Sequence, residues 1–112
     1  MIKAVFIDID ETLTNSKREV SEKTLYEIKR CRQKGINIIL TSGRARKDAI
    51  NYQEQVGASP YIISSNGASC YDVEKKKEIF SDSIKKDIVK QLLEYAEEND
   101  CLLYTSDAAD EL

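Results

Sequence analysis

Histidine is absent from this chain of 112 residues, and its absence excludes a large set of reactions. Without histidine, a catalytic site has neither an imidazole base nor an imidazole metal ligand. Any catalysis by this chain must therefore use carboxylates, hydroxyls or lysines.

Paired cysteines and long apolar runs are also missing. Cys31, Cys70 and Cys101 are widely spaced and form no CxxC pair, which indicates neither a disulfide framework nor a zinc site. No apolar run approaches the length of a membrane span. The amino terminus, MIKAVFIDID, lacks the charged, apolar and small residues that succeed one another in a secretory signal. These absences predict a cytoplasmic protein without a membrane partner.

The charge balance argues against a nucleic-acid partner. The chain has 17 basic and 20 acidic residues, a net charge of -3, and no basic cluster bordered by aromatic residues. Its content of 41% apolar and 33% charged residues is typical of a soluble globular protein, and its length allows one core. Composition does not indicate an oligomeric state.

Apolar runs alternate with helical periodicity from the amino terminus to Asn66. The pattern predicts strands at Ala4 to Ile7, Ile36 to Leu40 and Tyr61 to Ile63. It also predicts a helix at Ser21 to Lys34 and a second helix that follows the polar turn Thr41 to Arg44 and ends at Gly57. Strands that alternate with helices favour a parallel sheet with right-handed crossovers. We therefore predict an α/β fold with a doubly wound parallel sheet.

The pattern changes after Asn66. Two short strand-like runs, Cys70 to Val73 and Glu78 to Phe80, flank a charged turn and predict a hairpin. Apolar residues then recur every four positions and predict an amphipathic helix from Ser83 to Asn99. Because a hairpin followed by a helix breaks the earlier alternation, we predict a boundary near Ser81.

Polar side chains follow each of the three strands predicted to be parallel. They are Asp8 and Asp10 after the first strand, Thr41 and Ser42, followed by Gly43, after the second, and Ser64, Ser65 and Asn66 after the third. The carboxyl ends of parallel strands meet at one edge of a sheet, where ligands bind. The sequence therefore predicts a site at this edge.

The residue types at this edge favour phosphoryl transfer. Asp8 and Asp10 together suit a hard divalent cation such as Mg²⁺. With the cation screening charge, one carboxylate can attack phosphorus while the other carries a proton. A hydroxyl and backbone amides can then hold the phosphoryl oxygens.

These segments also resemble the motifs of a known superfamily. Asp8-Ile9-Asp10-Glu11-Thr12-Leu13 follows an apolar strand and resembles the first motif of the haloacid dehalogenase superfamily, Asp-x-Asp-x-Thr-Leu. Leu40-Thr41-Ser42-Gly43-Arg44 resembles its second motif, and Ser65-Asn66-Gly67-Ala68 resembles the Asn-Gly-Ala element of its Cof-type sugar phosphatase branch, subfamily IIB. Three motifs occur in order on the expected strands, so the resemblance is specific and implies a partial Rossmann-like core of that superfamily.

The resemblance implies a role for each matched residue. Asp8 corresponds to the nucleophile that forms an aspartyl-phosphate, and Asp10 to the general acid and then base. Both would bind Mg²⁺, Asp10 through its backbone carbonyl. The implied substrate is a small phosphorylated metabolite. The other matched residues would bind the phosphoryl group (Ser42 and Gly43), contact substrate (Asn66 and Arg44) or support the loops (Thr12).

The resemblance also implies that the chain is a fragment. It covers about Met1 to Asn99, which gives a partial core at 1-81 and the start of a cap domain at 82-100. The lysine and the acidic metal ligand of the superfamily's later motifs would lie beyond the chain. Cys101 to Glu111 resembles the translation of a transposon-end sequencing adapter, so we expect 101-112 to be a non-native tail and the fragment to be inactive.

Other interpretations remain open at this stage. Aspartates, Ser42-Gly43 and Asn66-Gly67 are all common in turns and helix caps that bind nothing. A receiver-type regulatory domain is also doubly wound, but it carries its phosphorylated aspartate after the third strand, where this chain has Ser-Ser-Asn-Gly. A third possibility is an inert metal-binding fragment whose first strand has an unpaired edge.

Overall fold

The structure, a computed structural model, describes residues 1-103. It divides into two compact units, Met1–Ser81 and a second that begins at Asp82. Most of the predicted non-native tail, from Tyr104 onward, lies outside the described residues. The assignment of 82-100 to a cap domain stays a prediction.

The first unit is built on one sheet of five strands in the order β1-β2-β3-β4-β5. β1 pairs with β2, and β2 with β3, in parallel, whereas β3, β4 and β5 form antiparallel pairs. The strands are β1 (Ala4–Asp8), β2 (Asn37–Thr41), β3 (Tyr61–Ser64), β4 (Ser69–Asp72) and β5 (Lys77–Ser81). The predicted α/β class, its parallel strands and its hairpin are confirmed.

Two helices connect the parallel strands. Helix α1 (Glu22–Gln33) begins after Ser21, whose hydroxyl accepts a hydrogen bond of 3.2 Å from the Thr24 amide, as expected for a cap. Helix α2 (Arg46–Val56) ends at Gly57, which has a left-handed backbone with φ of +68°. The start of α1 and the end of α2 therefore lie at the positions that the sequence predicts.

The core lies on one face of the sheet. Ile38, Leu40 and Ile62 are at most 2% exposed and pack with Ile28 of α1 and Ala49 of α2. Phe6 lies between inward-facing neighbours of β1 and is 59% exposed. Side chains alternate between the faces of a strand, so Phe6 belongs to the opposite face, which the other residues of the first unit leave open.

The hairpin and the last helix follow. Asp72 ends β4, and its carboxylate accepts a hydrogen bond of 3.0 Å from the Lys75 amide, which tightens the turn to β5. In the second unit, helix α3 (Lys86–Glu98) begins three residues later than the predicted start at Ser83, because Lys85 is still extended. Within residues 1-103, no helix is long and apolar enough to cross a membrane.

Candidate active site

Asp8 and Asp10 are held at the end of β1 by the apolar residues between and after them. Asp8 is the last residue of β1 and lies opposite Thr41 of β2. Ile9 is fully buried and Leu13 is 4% exposed, whereas both aspartates are exposed. The alternation of buried and exposed residues therefore anchors this segment in the core and leaves the carboxylates in solvent.

A tight turn follows Asp10. Glu11 has a left-handed backbone with φ of +58°, a conformation that costs about 1 to 2 kcal/mol for an L-residue other than glycine. Thr14 holds the turn, since its hydroxyl donates to the Ile9 carbonyl (3.2 Å) and accepts from the Glu11 amide (3.3 Å). Glu11 therefore has a backbone conformation that glycine would adopt at lower cost.

The loop after β2 presents a buried hydroxyl. Ser42 is 4% exposed, and its amide donates to the Ile63 carbonyl at 3.0 Å. Its Oγ accepts a hydrogen bond of 2.9 Å from the Arg44 amide. The hydroxyl hydrogen of Ser42 has no acceptor within residues 1-103, so it can be donated to a ligand.

The loop after β3 makes a left-handed turn against the loop after β2. Ser65, Asn66 and Gly67 all have positive φ. The Asn66 amide donates to the Ser42 carbonyl at 3.0 Å. The Asn66 side chain lies so close to Gly43 that a Cβ there would be 2.7 Å from Oδ1. Residue 43 must therefore be glycine for Asn66 to keep this position.

Arg44 connects the loop after β1 to the other two. Its Nη2 lies 2.6 Å from Oδ1 of Asp10, and its Nε lies 2.9 Å from Oδ2. The hydrogen bonds from Arg44 lower the pKa of Asp10 below its ordinary value, and Asp10 in turn raises the pKa of Arg44. The Arg44 carbonyl accepts a hydrogen bond of 3.0 Å from the Ser65 amide. Arg44 therefore bonds to residues of all three loops.

Tyr52 and Thr14 are parts of the site that the sequence reasoning missed. The Arg44 guanidinium carbon lies 5.4 Å from the centre of the Tyr52 ring, within the range of a cation–π contact. Tyr52 lies in α2, whereas Arg44 precedes that helix in the loop after β2, so helical spacing does not relate the two residues and no sequence signal indicated their contact. Thr14 lies just past the first motif and gave no signal.

The structure brings together Asp10, Ser42, Gly43, Arg44 and Asn66, and it places Asp8 at the adjacent strand end. Thr12 is exposed, and its side chain makes no hydrogen bond within the described residues. Its supporting role and the binding roles of the other residues stay predictions.

The chemistry of the donors allows a Mg²⁺ ion at this edge. Residues 1-103 contain no cluster of three or more acidic, cysteine or histidine side chains that could hold a metal. Magnesium, however, commonly keeps several waters and takes only one or two protein carboxylates together with substrate phosphate. Asp10 has both carboxylate oxygens engaged by Arg44, so Asp8 is the carboxylate free to bind a cation in this structure.

A family model of known proteins matches nearly the whole chain. The sequence model of the haloacid dehalogenase-like hydrolase family matches residues 5-111. The match includes most of the segment expected to be a non-native tail, whose origin stays a prediction.

Several named proteins and solved structures are similar to this chain. A Bacillus subtilis protein named phosphatase YwpJ is 36% identical over 73 residues, which cover 65% of this chain and 26% of that protein. The structure of a haloacid dehalogenase-like hydrolase from Bacteroides thetaiotaomicron matches 89% of this chain and 39% of its own, with 28% identity and a TM-score of 0.80. A structure described as a subclass IIB sugar phosphatase matches 87% of this chain and 38% of its own, with 27% identity and a TM-score of 0.73. The chain therefore spans well under half the length of these proteins.

Proposed function

This chain belongs to the haloacid dehalogenase-like hydrolases, and from that premise we propose that the longer protein of which it forms part is a Mg²⁺-dependent phosphatase. One observation carries the proposal: Arg44 connects the carboxylates at the end of β1 to the buried hydroxyl of Ser42. Its side chain binds Asp10, and its amide donates to Oγ of Ser42. The reaction is the hydrolysis of a phosphomonoester to an alcohol and inorganic phosphate.

In the proposed first step, a carboxylate oxygen of Asp8 attacks phosphorus. The bond from phosphorus to the ester oxygen breaks, and the leaving oxygen takes a proton from Asp10, which yields the alcohol and an aspartyl-phosphate. In the second step, water loses a proton to Asp10 and attacks phosphorus. The bond from phosphorus to Asp8 breaks, so phosphate leaves and both aspartates return to their starting state.

The hydroxyl of Ser42 supports the attack on phosphorus. It is buried, and its hydrogen has no acceptor within the described residues, so it can donate to a phosphoryl oxygen without first breaking another bond. A donor that is already oriented stabilises charge that develops in the transition state. Gly43 would contribute its backbone amide to phosphate binding, since the space that a side chain of residue 43 would need is occupied by the Asn66 side chain.

Asp10 must alternate between its protonated and ionised forms. The hydrogen bonds from Arg44 lower its pKa and favour the ionised form, which is the form needed to accept a proton from water. To act as the acid in the first step, Asp10 must give up part of this pairing. We therefore expect substrate binding to alter the contact between Arg44 and Asp10.

Magnesium, when bound, would neutralise the repulsion between the incoming phosphate and the aspartates. Asp8 would hold it through a carboxylate oxygen and Asp10 through its backbone carbonyl. We propose a small phosphorylated metabolite of the sugar-phosphate type as substrate. The support for this class is the similarity to a protein described as a sugar phosphatase and the Asn-Gly-Ala element at Asn66.

The receiver-type alternative has less support. In this structure β3 is followed by Ser65, Asn66 and Gly67, so no carboxylate occupies the position where such a domain is phosphorylated. Incorporation of a stable phosphoryl group from a small phosphodonor at a residue other than Asp8 would favour that alternative.

We expect Asp8→Asn to abolish Mg²⁺-dependent hydrolysis of a generic phosphomonoester in the longer protein, because an amide cannot act as the nucleophile. Asp82→Asn is the matched control, since Asp82 is an exposed aspartate outside the site. Hydrolysis would be measured with and without Mg²⁺, and we expect the 112-residue chain alone to be inactive. Undiminished activity of the Asp8→Asn protein would contradict the proposal, and activity of the short chain would contradict its description as a fragment.

A further inference from the structure

Arg44 lies at the point where the three strand-end loops meet. Its amide donates to Oγ of Ser42, and its carbonyl accepts from the amide of Ser65. These two bonds fix the Arg44 backbone to the loops after β2 and β3. The base of the side chain is therefore held by the same loops that carry the proposed phosphate-binding residues.

The guanidinium extends from this fixed backbone to Asp10. Nε and Nη2 bind the carboxylate in a two-pronged arrangement, with distances of 2.9 Å to Oδ2 and 2.6 Å to Oδ1. A paired contact of this kind restricts the rotation of the carboxylate as well as its position. The orientation of Asp10 thus depends on Arg44, since the Asp10 side chain is otherwise half exposed.

Tyr52 also contacts the guanidinium of Arg44. Its ring centre lies 5.4 Å from the Arg44 guanidinium carbon, and Tyr52 is a partly buried residue of α2 packed against the core. Arg44 thus contacts a carboxylate and an aromatic ring at once. The side chain has fewer orientations open to it than a solvated arginine, so less entropy is lost when it holds Asp10.

We infer that Arg44, supported by the ring of Tyr52, is a positioning residue that holds the Asp10 carboxylate in the orientation from which it accepts a proton from water. The inference rests on the proposed phosphatase function and deepens it. Arg44 acts through Asp10 rather than by binding substrate, and Tyr52 acts through Arg44.

The test compares two arginines that have the same kinds of contact. Arg46 binds Glu78 at 2.9 Å and lies over the Tyr71 ring at 4.2 Å, but it bonds to neither aspartate of the site. In the longer protein, Arg44→Lys keeps the charge but loses the paired geometry, so we expect kcat to fall about ten- to a hundred-fold with KM unchanged. Arg46→Lys should leave both constants at their wild-type values.

Tyr52 provides a second pair of variants. Tyr52→Phe keeps the ring beside Arg44, whereas Tyr52→Leu removes it, so Tyr52→Leu should lower kcat a few-fold more than Tyr52→Phe does. The unfolding temperature of every variant would be measured, so that a loss of folding is recognised. If Arg44→Lys does not fold, the Tyr52 pair decides, and equal kcat values for Phe and Leu would overturn the inference.

The outcomes separate this inference from the proposed function. If the wild-type longer protein hydrolyses no phosphomonoester, the proposed function fails. If it is active and Asp8→Asn is not, the proposed function stands, and the kcat and KM of Arg44→Lys then test the inference. A raised KM with unchanged kcat in Arg44→Lys would identify a substrate ligand, and unchanged constants would show no role, so either would overturn the inference. A crystal structure of Arg44→Lys with the Asp10 carboxylate in its original orientation would also overturn it.

Discussion

At the scale of single residues, the site depends on how Gly43 and Asn66 fit together. Asn66 has φ of +55°, and its side chain occupies the space beside Gly43 that a Cβ would need. Asparagine tolerates the left-handed region better than most residues because its short side chain can form local hydrogen bonds. The Asn-Gly pair, which in the sequence could have been an ordinary turn, is here part of the contact between two loops of the site.

We expect Gly43→Ala to destabilise the protein by about 0.5 to 1.5 kcal/mol, because the new methyl group pushes the Asn66 side chain out of its preferred rotamer. In an Asn66→Gly background the same change should be neutral or stabilising, since alanine restricts the unfolded chain more than glycine does. Unfolding by urea would measure the free energy of all four proteins.

The control for this cycle is Gly35→Ala. Gly35 has φ of +78° with nothing near its missing Cβ, so alanine there is strained by its backbone alone. Its cost should be the same with asparagine or glycine at position 66. An equal cost of Gly43→Ala in both backgrounds would mean that the contact with Asn66 does not constrain residue 43.

At the scale of elements, helix boundaries follow the cap geometry more closely than the apolar pattern. Ser21 is extended, and its hydroxyl caps α1 through the Thr24 amide. The sequence predicted a helix that begins at Ser83, yet α3 begins after Lys85, which makes no side-chain cap bond. The four-residue spacing predicted the presence of α3 but did not locate its first turn.

This difference can be measured. Ser21→Ala should lower the free energy of unfolding of the longer protein by about 1 kcal/mol, because an amide of the first turn loses its acceptor. Ser83→Ala should leave it unchanged, since Ser83 lies before the helix and caps nothing. A similar loss from Ser83→Ala would indicate that α3 begins at the position expected from sequence.

At the scale of the whole molecule, the sheet of the first unit ends in two unpaired edges within the described residues, β1 and β5. β5 begins with Lys77 and Glu78, charges of the kind that discourage pairing with another chain. β1 is apolar up to Asp8, and its Phe6 is 59% exposed. The β1 edge is therefore the one prone to association.

We expect the 112-residue chain alone to form oligomers that grow with concentration in the micromolar range. Phe6→Lys should reduce this association, because it adds a charge to the open face of β1, and Phe80→Lys on β5 should reduce it less. Sedimentation velocity would measure the size distribution. A chain that stays monomeric, or equal effects of the two lysines, would contradict this assignment of the edge.

Sequence reasoning identified most of the fold because the signals involved are local. Continuous apolar runs marked β1, β2 and β3, helical periodicity marked α1 and α2, and Gly57 marked the end of α2 at its left-handed backbone. The motif residues Asp8, Asp10, Ser42 and Asn66 were found in the same way, because each follows a strand whose direction the alternation already implies.

Contacts between distant segments were not available from the sequence. The sequence alone determined that carboxylates, a hydroxyl and an amide follow parallel strands, since strand direction places the ends of β1, β2 and β3 at one edge. Only the tertiary structure decided that Arg44 binds Asp10 rather than extending into solvent. It also decided that Tyr52 supports Arg44 and that Thr14 holds the turn at Glu11. A side-chain contact depends on the separation and direction of two side chains once the backbone is packed, and residue type and spacing along the chain do not specify either.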